Sequence, residues 1–149
     1  MQVKVYRVRE NSKLPVRAHL TDAGMDFFFS PEIVKPVLIS PGESFLLQTG
    51  MKVEVPQNMM LQVMNKSGIA SKKSLVVGAC VVDSGYDGEI FVNLHNIGDE
   101  VQMVKPGHKI AQGVFVNICR PSLVELTSDN IYSTQTSRGS GALGSTGDA

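Results

Sequence analysis

Residues 81–94 read VVDSGYDGEIFVNL. In the second half Ile90, Val92 and Leu94 share one face and Glu89, Phe91 and Asn93 the other, the period of two that marks a half-buried strand. Ahead of it, Ser84-Gly85 and Asp87-Gly88 both signal turns, so the stretch predicts a β-hairpin. The alternation recurs in Val3 and Val5 against Gln2 and Lys4, and in Val53 and Val55 against Lys52 and Glu54. Apolar runs at residues 27–29, 45–47, 61–64, 75–77 and 110–116 supply further strands, most with β-branched or aromatic members. Turn residues fall between them at Pro41-Gly42, Gly50, Pro56-Gln57-Asn58, Ile97-Gly98-Asp99 and Pro106-Gly107. Eight or more short strands at this spacing predict an all-β chain, a jelly-roll-like barrel or sandwich. No long stretch keeps apolar residues at i, i+3, i+4 and i+7, so helix is confined to one short piece near residues 71–74.

The 149 residues suit one core. Lys plus Arg number 14 and Asp plus Glu 14, so the formal charge is zero and nothing draws the whole molecule toward nucleic acid or an anionic membrane. The longest apolar run, residues 75–82, holds Gly78 and is far short of the ~18 residues of a membrane span. The N-terminus lacks a secretory pattern, and two cysteines, Cys80 and Cys119, cannot build a disulfide framework. A soluble, intracellular protein with reduced thiols is expected. His19, His95 and His108 have no partners at metal-ligand spacing, and no phosphate-binding glycine loop, GxSxG or HExxH occurs. Beyond Glu125 the chain turns polar and then glycine-rich, with four glycines in residues 138–147. That tail cannot pack a core.

Four segments carry chemistry. Asp22-Ala23-Gly24-Met25-Asp26 brings a carboxylate to a strand start beside two small residues. Asn65-Lys66-Ser67-Gly68 sets a cation, a hydroxyl and a flexible backbone donor side by side, a grouping suited to an anionic oxygen. Asp83 ends an apolar run, where partial desolvation would poise it as a general base, with Tyr86 nearby as a flat platform. In the tail, the planar fork of Arg138, the glycine N–H groups and the hydroxyls of Ser145 and Thr146 could close on a phosphate as a lid.

In this order, and with Gly107-His108-Lys109-Ile110-Ala111-Gln112 between the last two, these segments strongly resemble the trimeric deoxyuridine triphosphatase (dUTPase) family. The five motifs look like AGxD (23–26), [RK]SGxA (66–70), V[IV]DxxYxGE (81–89), GxxIAQ (107–112) and RGxGxxGSTG (138–147), covering nearly the whole chain. The resemblance implies a β domain over residues 1–127 and a polar linker with a glycine-rich lid over 128–149. It implies hydrolysis of dUTP to dUMP and pyrophosphate by water attack on the α-phosphorus, with Asp83 orienting and deprotonating the water. Tyr86 would exclude a 2′-hydroxyl, and backbone around Gly78 to Val82 would read the uracil edge. Lys66, Ser67, Gly68 and Gln112 would serve the phosphates and Arg138 the γ-phosphate, while Leu143, Gly144 and Ser145 belong to the closing tail. Mg²⁺ would ride on the triphosphate and waters, touching Asp26 only through a metal-bound water. The family implies a homotrimer whose sites draw motifs from several subunits.

Three positions depart from the family pattern. Lys66 stands where Arg is usual and loses the bidentate fork. Cys80 replaces a Gly, and Leu143 replaces the aromatic that stacks on uracil. These departures motivate an alternative, a deoxynucleotide-binding regulatory protein on the same trimeric fold with weak or no turnover. A deoxycytidine triphosphate deaminase shares the fold, but the Asp-x-x-Tyr pattern of residues 83–86 is the hydrolase's.

Overall fold

The run Met59, Leu61, Val63 alternates with more polar or exposed neighbours and becomes strand β6 (Met59–Met64), which is paired along both edges in the computed structural model. Residues 1–142 are described. Before β6 come β1 (Val5–Arg7), β2 (Met25–Phe28), β3 (Val37–Ile39), β4 (Ser44–Gln48) and β5 (Met51–Val53). After it come α1 (Ser67–Lys73), β7 (Leu75–Val77), β8 (Val81–Val82), β9 (Phe91–Asn96), β10 (Gln102–Val104) and β11 (Lys109–Asn117). The described residues thus form the expected all-β chain with one short helix. A four-stranded sheet runs β2-β11-β6-β8 and a three-stranded sheet β4-β9-β7, with β1-β5 and β10-β3 as antiparallel pairs.

Alternation sends one face of β5, β6 and β9 inward, and the buried residues make two apolar clusters. One gathers Phe29, Ile39, Leu47, Val63, Leu75, Val92 and Leu94 with Ile110 and Ala111. The other gathers Phe27, Met51, Val53, Val55, Leu61 and Ile90. Val82 packs against both. Val82 is partly buried, so it contributes less than the roughly 1.5–3 kcal/mol of a fully buried side chain, but its contacts with both clusters seat the residue that follows it.

The hairpin expected at residues 81–94 does not form. β8 pairs with β6, through Leu61↔Val82 and Gln62↔Val81, whereas β9 pairs with β4 and β7. The physical reason is length: six-residue β9 finds two partner strands elsewhere, while two-residue β8 could offer it little. The turn residues serve a loop that crosses from one sheet to the other. The helix starts at Ser67, ahead of the stretch expected from the sequence, because Ile69 packs on the first cluster and gives a weak helix former a tertiary reason to coil.

A second compact unit, Arg120–Ala149, is described through residue 142. It has no helix or strand among its described residues, and Leu123, Val124, Ile131 and Tyr132 are exposed. No helix of the described residues is long and apolar enough to cross a membrane.

Asn96 closes the first cluster at the end of β9 with only 1% of its surface exposed. Its Nδ2 donates to Ile39 O (2.8 Å) and Glu100 O (2.7 Å), and its Oδ1 accepts Gly98 N–H (3.0 Å). Asn96→Ala strands these buried groups, each at about 1–3 kcal/mol, and is expected to lower the urea midpoint with an unchanged slope. An unaltered midpoint would show that water replaces the amide without loss.

Candidate active site

Two adjacent strands set up the first half of the site. In the β2–β11 register Gln112 stands opposite Asp26, and Gln112 is also opposite Met64 on β6. Between Lys109 and Ala111 the β2 pairing shifts by one residue, a bulge. The bulge lets Ile110 and Ala111 both enter the core, at 2% and 0% exposure, while Lys109 and Gln112 both turn toward Asp26.

The Asp26 carboxylate is nearly buried and held by two ammonium groups. Lys66 Nζ lies 2.9 Å from Oδ1 and 3.2 Å from Oδ2, and Lys109 Nζ lies 2.8 Å from Oδ2. Burial pushes the carboxyl pKa up, but hydrogen bonds and charge from Lys109 and Lys66 outweigh it and hold it below the ordinary 3.8. Two cations share this one carboxylate, and Asp22 on the same cleft offsets the second charge. Gln112 Nε2 donates to Asn65 O (3.0 Å), and Asn65 Oδ1 accepts Val77 N–H (2.7 Å), so the glutamine is tied to the start of the Lys66 segment. Gly24 makes this possible, since a Cβ there would sit 2.3 Å from Gln112 Oε1. Ala18, Asp22, Ala23, Gly24, Asp26, Lys66 and Gln112 line a cleft of about 200 Å³.

α1 opens beside this corner. Ile69 and Ala70 donate to Lys66 O, both at 2.9 Å, so the N–H groups of Ser67 and Gly68 precede the first helical bonds and both residues are exposed. Lys66 is the N-cap and makes no side-chain cap. Its ammonium is spent on Asp26.

The loop of residues 83–89 is the second half. Asp83 is exposed, which corrects the expectation of partial desolvation: Val82 is the last residue seated in the core, and the chain leaves the sheet at once. Tyr86 N–H donates to Asp83 O (3.3 Å) and Tyr86 O–H to Glu89 O (2.8 Å), closing the loop on itself. Among the uracil-edge residues, Gly78 is exposed but its N–H already donates to Asn93 O (2.9 Å), and Cys80 O accepts Val63 N–H (2.7 Å). Val82 is held in the β6 ladder.

The chain brings Asp26, Lys66 and Gln112 together, with Ser67 and Gly68 adjoining in sequence. It does not bring Asp83 to them. Along β6, Gln112 faces Met64, whereas Val82 faces Leu61 two strands across the sheet, which puts Asp83 on the order of 15 Å away at ~4.8 Å per strand and ~3.3 Å per residue. Arg138 lies in the second unit, where its Nε donates to Gly141 O (3.2 Å). Leu143, Gly144 and Ser145 lie outside the described residues.

Two residues of the corner had no assigned role from the sequence. Lys109 was hidden by its place in an otherwise apolar strand, and its signal is the pair of core residues directly after it, which demands a bulge. Asn65 acts through its backbone carbonyl and has no side-chain signature toward Gln112. Among the described residues no three His, Cys, Asp or Glu side chains gather as metal ligands. The cleft offers Asp22, bonded to His19 N–H (2.9 Å), and Asp26, already carrying two lysines. This donor set fits Mg²⁺ that arrives with phosphate oxygens and waters as its ligands.

The dUTPase family profile matches residues 10–147. The deoxyuridine 5′-triphosphate nucleotidohydrolase of Clostridium novyi is 36% identical over 149 residues, covering 99% of both chains. That of Alkaliphilus metalliredigens is 39% identical over 147 residues, covering 97% of this chain and 96% of its own. Among solved structures, a variant of the Staphylococcus bacteriophage 80alpha dUTPase with dUpNHpp superposes with a TM-score of 0.83 at 26% identity, covering 98% of each chain. A variant of the phage phi11 dUTPase of S. aureus, described as coordinating a structural Mg(II) ion, gives 0.76 at 26% identity and covers 86% of this chain and 98% of its own. A profile match across both the cleft and the 83–89 loop, with relatives aligned along nearly their whole length, makes this chain a member of the dUTPase family.

Proposed function

We propose that this chain hydrolyses dUTP to dUMP and pyrophosphate, limiting uracil incorporation into DNA and supplying dUMP. The observation that carries the reading is the corner in which Lys66 and Lys109 flank Asp26 beside Gln112, two ammonium groups gathered at one cleft in a molecule with no net charge. Water attacks the α-phosphorus, its proton passes to the Asp83 carboxylate, and the bond to the bridging oxygen breaks with its electrons leaving on pyrophosphate. Lys66, Ser67, Gly68 and Gln112 hold the phosphate chain, and Arg138 takes the γ-phosphate as the tail closes over the site. Gly78 and Val82 frame the uracil, and Tyr86 packs on the deoxyribose where a 2′-hydroxyl would clash. Mg²⁺, when bound with the triphosphate, supplies charge neutralisation of its oxygens. Asp26 would hold the ion through a water and not directly, and Lys109 and Lys66 keep its carboxylate ionised.

The separation of Asp83 from the Asp26 corner within one chain supports a site assembled from more than one copy, in the homotrimer the family resemblance implies. No observation favours the regulatory alternative.

Pyrophosphate release from dUTP, with little from UTP, dTTP or dCTP, is the expected result for the intact chain. Its absence in folded protein overturns the reading. Asp83→Asn is expected to lower kcat by about 10²–10⁴-fold while dUpNHpp binding is retained. Co-expressing Asp83→Asn with Gln112→Ala restores part of the activity when the two residues of one site come from different subunits, and no rescue would place both in one chain. Leu143→Phe is expected to lower KM by up to about a hundredfold, since base stacking on an aromatic is worth roughly 1–3 kcal/mol. An unchanged KM would mean that the tail does not cover the base.

A further inference from the structure

The 83–89 loop is exposed at its tip and clamped at its base, and the clamp has no role in the chemistry described above. Glu89 and Arg9 are largely buried, with 12% and 17% of their side chains exposed. Arg9 grips the Glu89 carboxylate with both terminal nitrogens, Nη1 to Oε2 at 3.0 Å and Nη2 to Oε1. The same Oε1 accepts Gly50 N–H at 2.7 Å. Arg9 also donates from Nη2 (2.9 Å) and Nε (3.2 Å) to Ser30 O. One guanidinium thereby joins the segment before β2, the end of β2's extension and the base of the loop.

The clamp reaches Tyr86 in one step. Tyr86 O–H donates to the backbone carbonyl of Glu89, and the ring lies over Gly88 so closely that a Cβ there would sit 2.2 Å from the hydroxyl oxygen and 2.3 Å from Cζ. Tyr86 is half-exposed and borders a groove that Lys52, Val53 and Val55 also line. What fixes its height above the loop is the Glu89 carbonyl; the next N–H, of Ile90, donates to Met51 O (2.8 Å), and the Glu89 side chain is held by Arg9 and by Gly50 N–H.

We propose that the Arg9–Glu89 ion pair is a positioning device for sugar discrimination: it sets the acceptor for the Tyr86 hydroxyl and so the ring position that rejects a ribonucleotide. The inference rests on the reading of Tyr86 given under Proposed function. Rejecting one extra hydroxyl by contact depends on distances of a few tenths of an ångström, so a small drift of Glu89 costs selectivity before it costs turnover. Lysine at position 9 would keep the charge and lose the fork.

The test is the ratio of kcat/KM for dUTP to that for UTP, measured for the intact chain, Arg9→Lys, Tyr86→Phe and the double variant. Arg9→Lys is expected to lower the ratio about tenfold or more, mainly by raising kcat/KM for UTP. Tyr86→Phe, which removes the donor and leaves the ring, is expected to lower it similarly. The double variant should fall no further than the lower of the two, because both changes release the same ring. A merely structural role would lower the unfolding temperature of Arg9→Lys and leave its ratio unmoved, and that result overturns the proposal. So does a double variant whose losses multiply. Should Arg9→Lys fail to fold, Tyr86→Phe alone decides, because its hydroxyl bond is on the exposed loop: an unchanged ratio overturns the proposal. An intact chain that releases no pyrophosphate from dUTP defeats the functional reading itself, a different result from an active enzyme whose ratio does not respond.

Discussion

Strand β6 is paired along both edges, with β11 on one side and β8 on the other, and the placement of the polar groups follows from that double ladder. Its inward residues divide between the two clusters, Leu61 into the one around Phe27 and Val63 into the one around Leu47. A slip of one residue would turn both outward, so the register is held by burial as well as by hydrogen bonds. With β6 fixed, Gln112 must stand opposite Met64 and beside Asp26, and Val82 must stand opposite Leu61. The two halves of the site are therefore held apart by the same ladder that positions each of them.

Within the cleft, desolvation and Coulomb attraction oppose each other at Asp26, and attraction wins because two ammonium groups share one carboxylate. A carboxyl held below its ordinary value contributes stability that is present above pH 3.8 and is lost as the pH falls through the lower folded value. Near neutrality the aspartate stays charged and keeps both lysines in place. Lys66 spans both carboxylate oxygens with a single ammonium, at 2.9 and 3.2 Å, so an arginine fork is not required for this contact. To meet a phosphate chain Lys66 exchanges a carboxylate contact for a phosphate one, which its flexible stem allows.

The buried polar groups near the loop base belong to a different part of the structure. Arg9, Glu89 and Gly50 form a satisfied cluster, and beside Gly50 the hydroxyls of Ser12 and Ser30 are buried with no partner among the described residues. Charged groups in such surroundings persist only when paired, which makes this cluster sensitive to loss of either partner. Its neighbours in sequence, Ile90 and Thr49, are tied by Thr49 Oγ1 donating to Ile90 O at 2.6 Å. The loop is thus rigid where it joins β9 and exposed where Asp83 and Tyr86 stand.

The sequence by itself determined the class and the chemistry. Period-two alternation and turn residues are local signals, and they correctly marked β4, β6, β7, β9 and β11 and the near absence of helix. The five ordered motifs identified the family, because each combines residue types with spacings that turns and strands alone do not require. Tertiary structure decided the rest. It decided that β8 and β9 lie in different sheets, since the partner of a short strand is chosen by whichever neighbour buries it. It decided that Lys109 joins Lys66 on Asp26, since a bulge arises from two core residues competing for one inward position. It decided that Arg9 meets Glu89, because an ion pair across 80 residues leaves no mark in either local pattern. Local periodicity encodes which face of an element is apolar, whereas the meeting of two faces depends on the packing of the whole core.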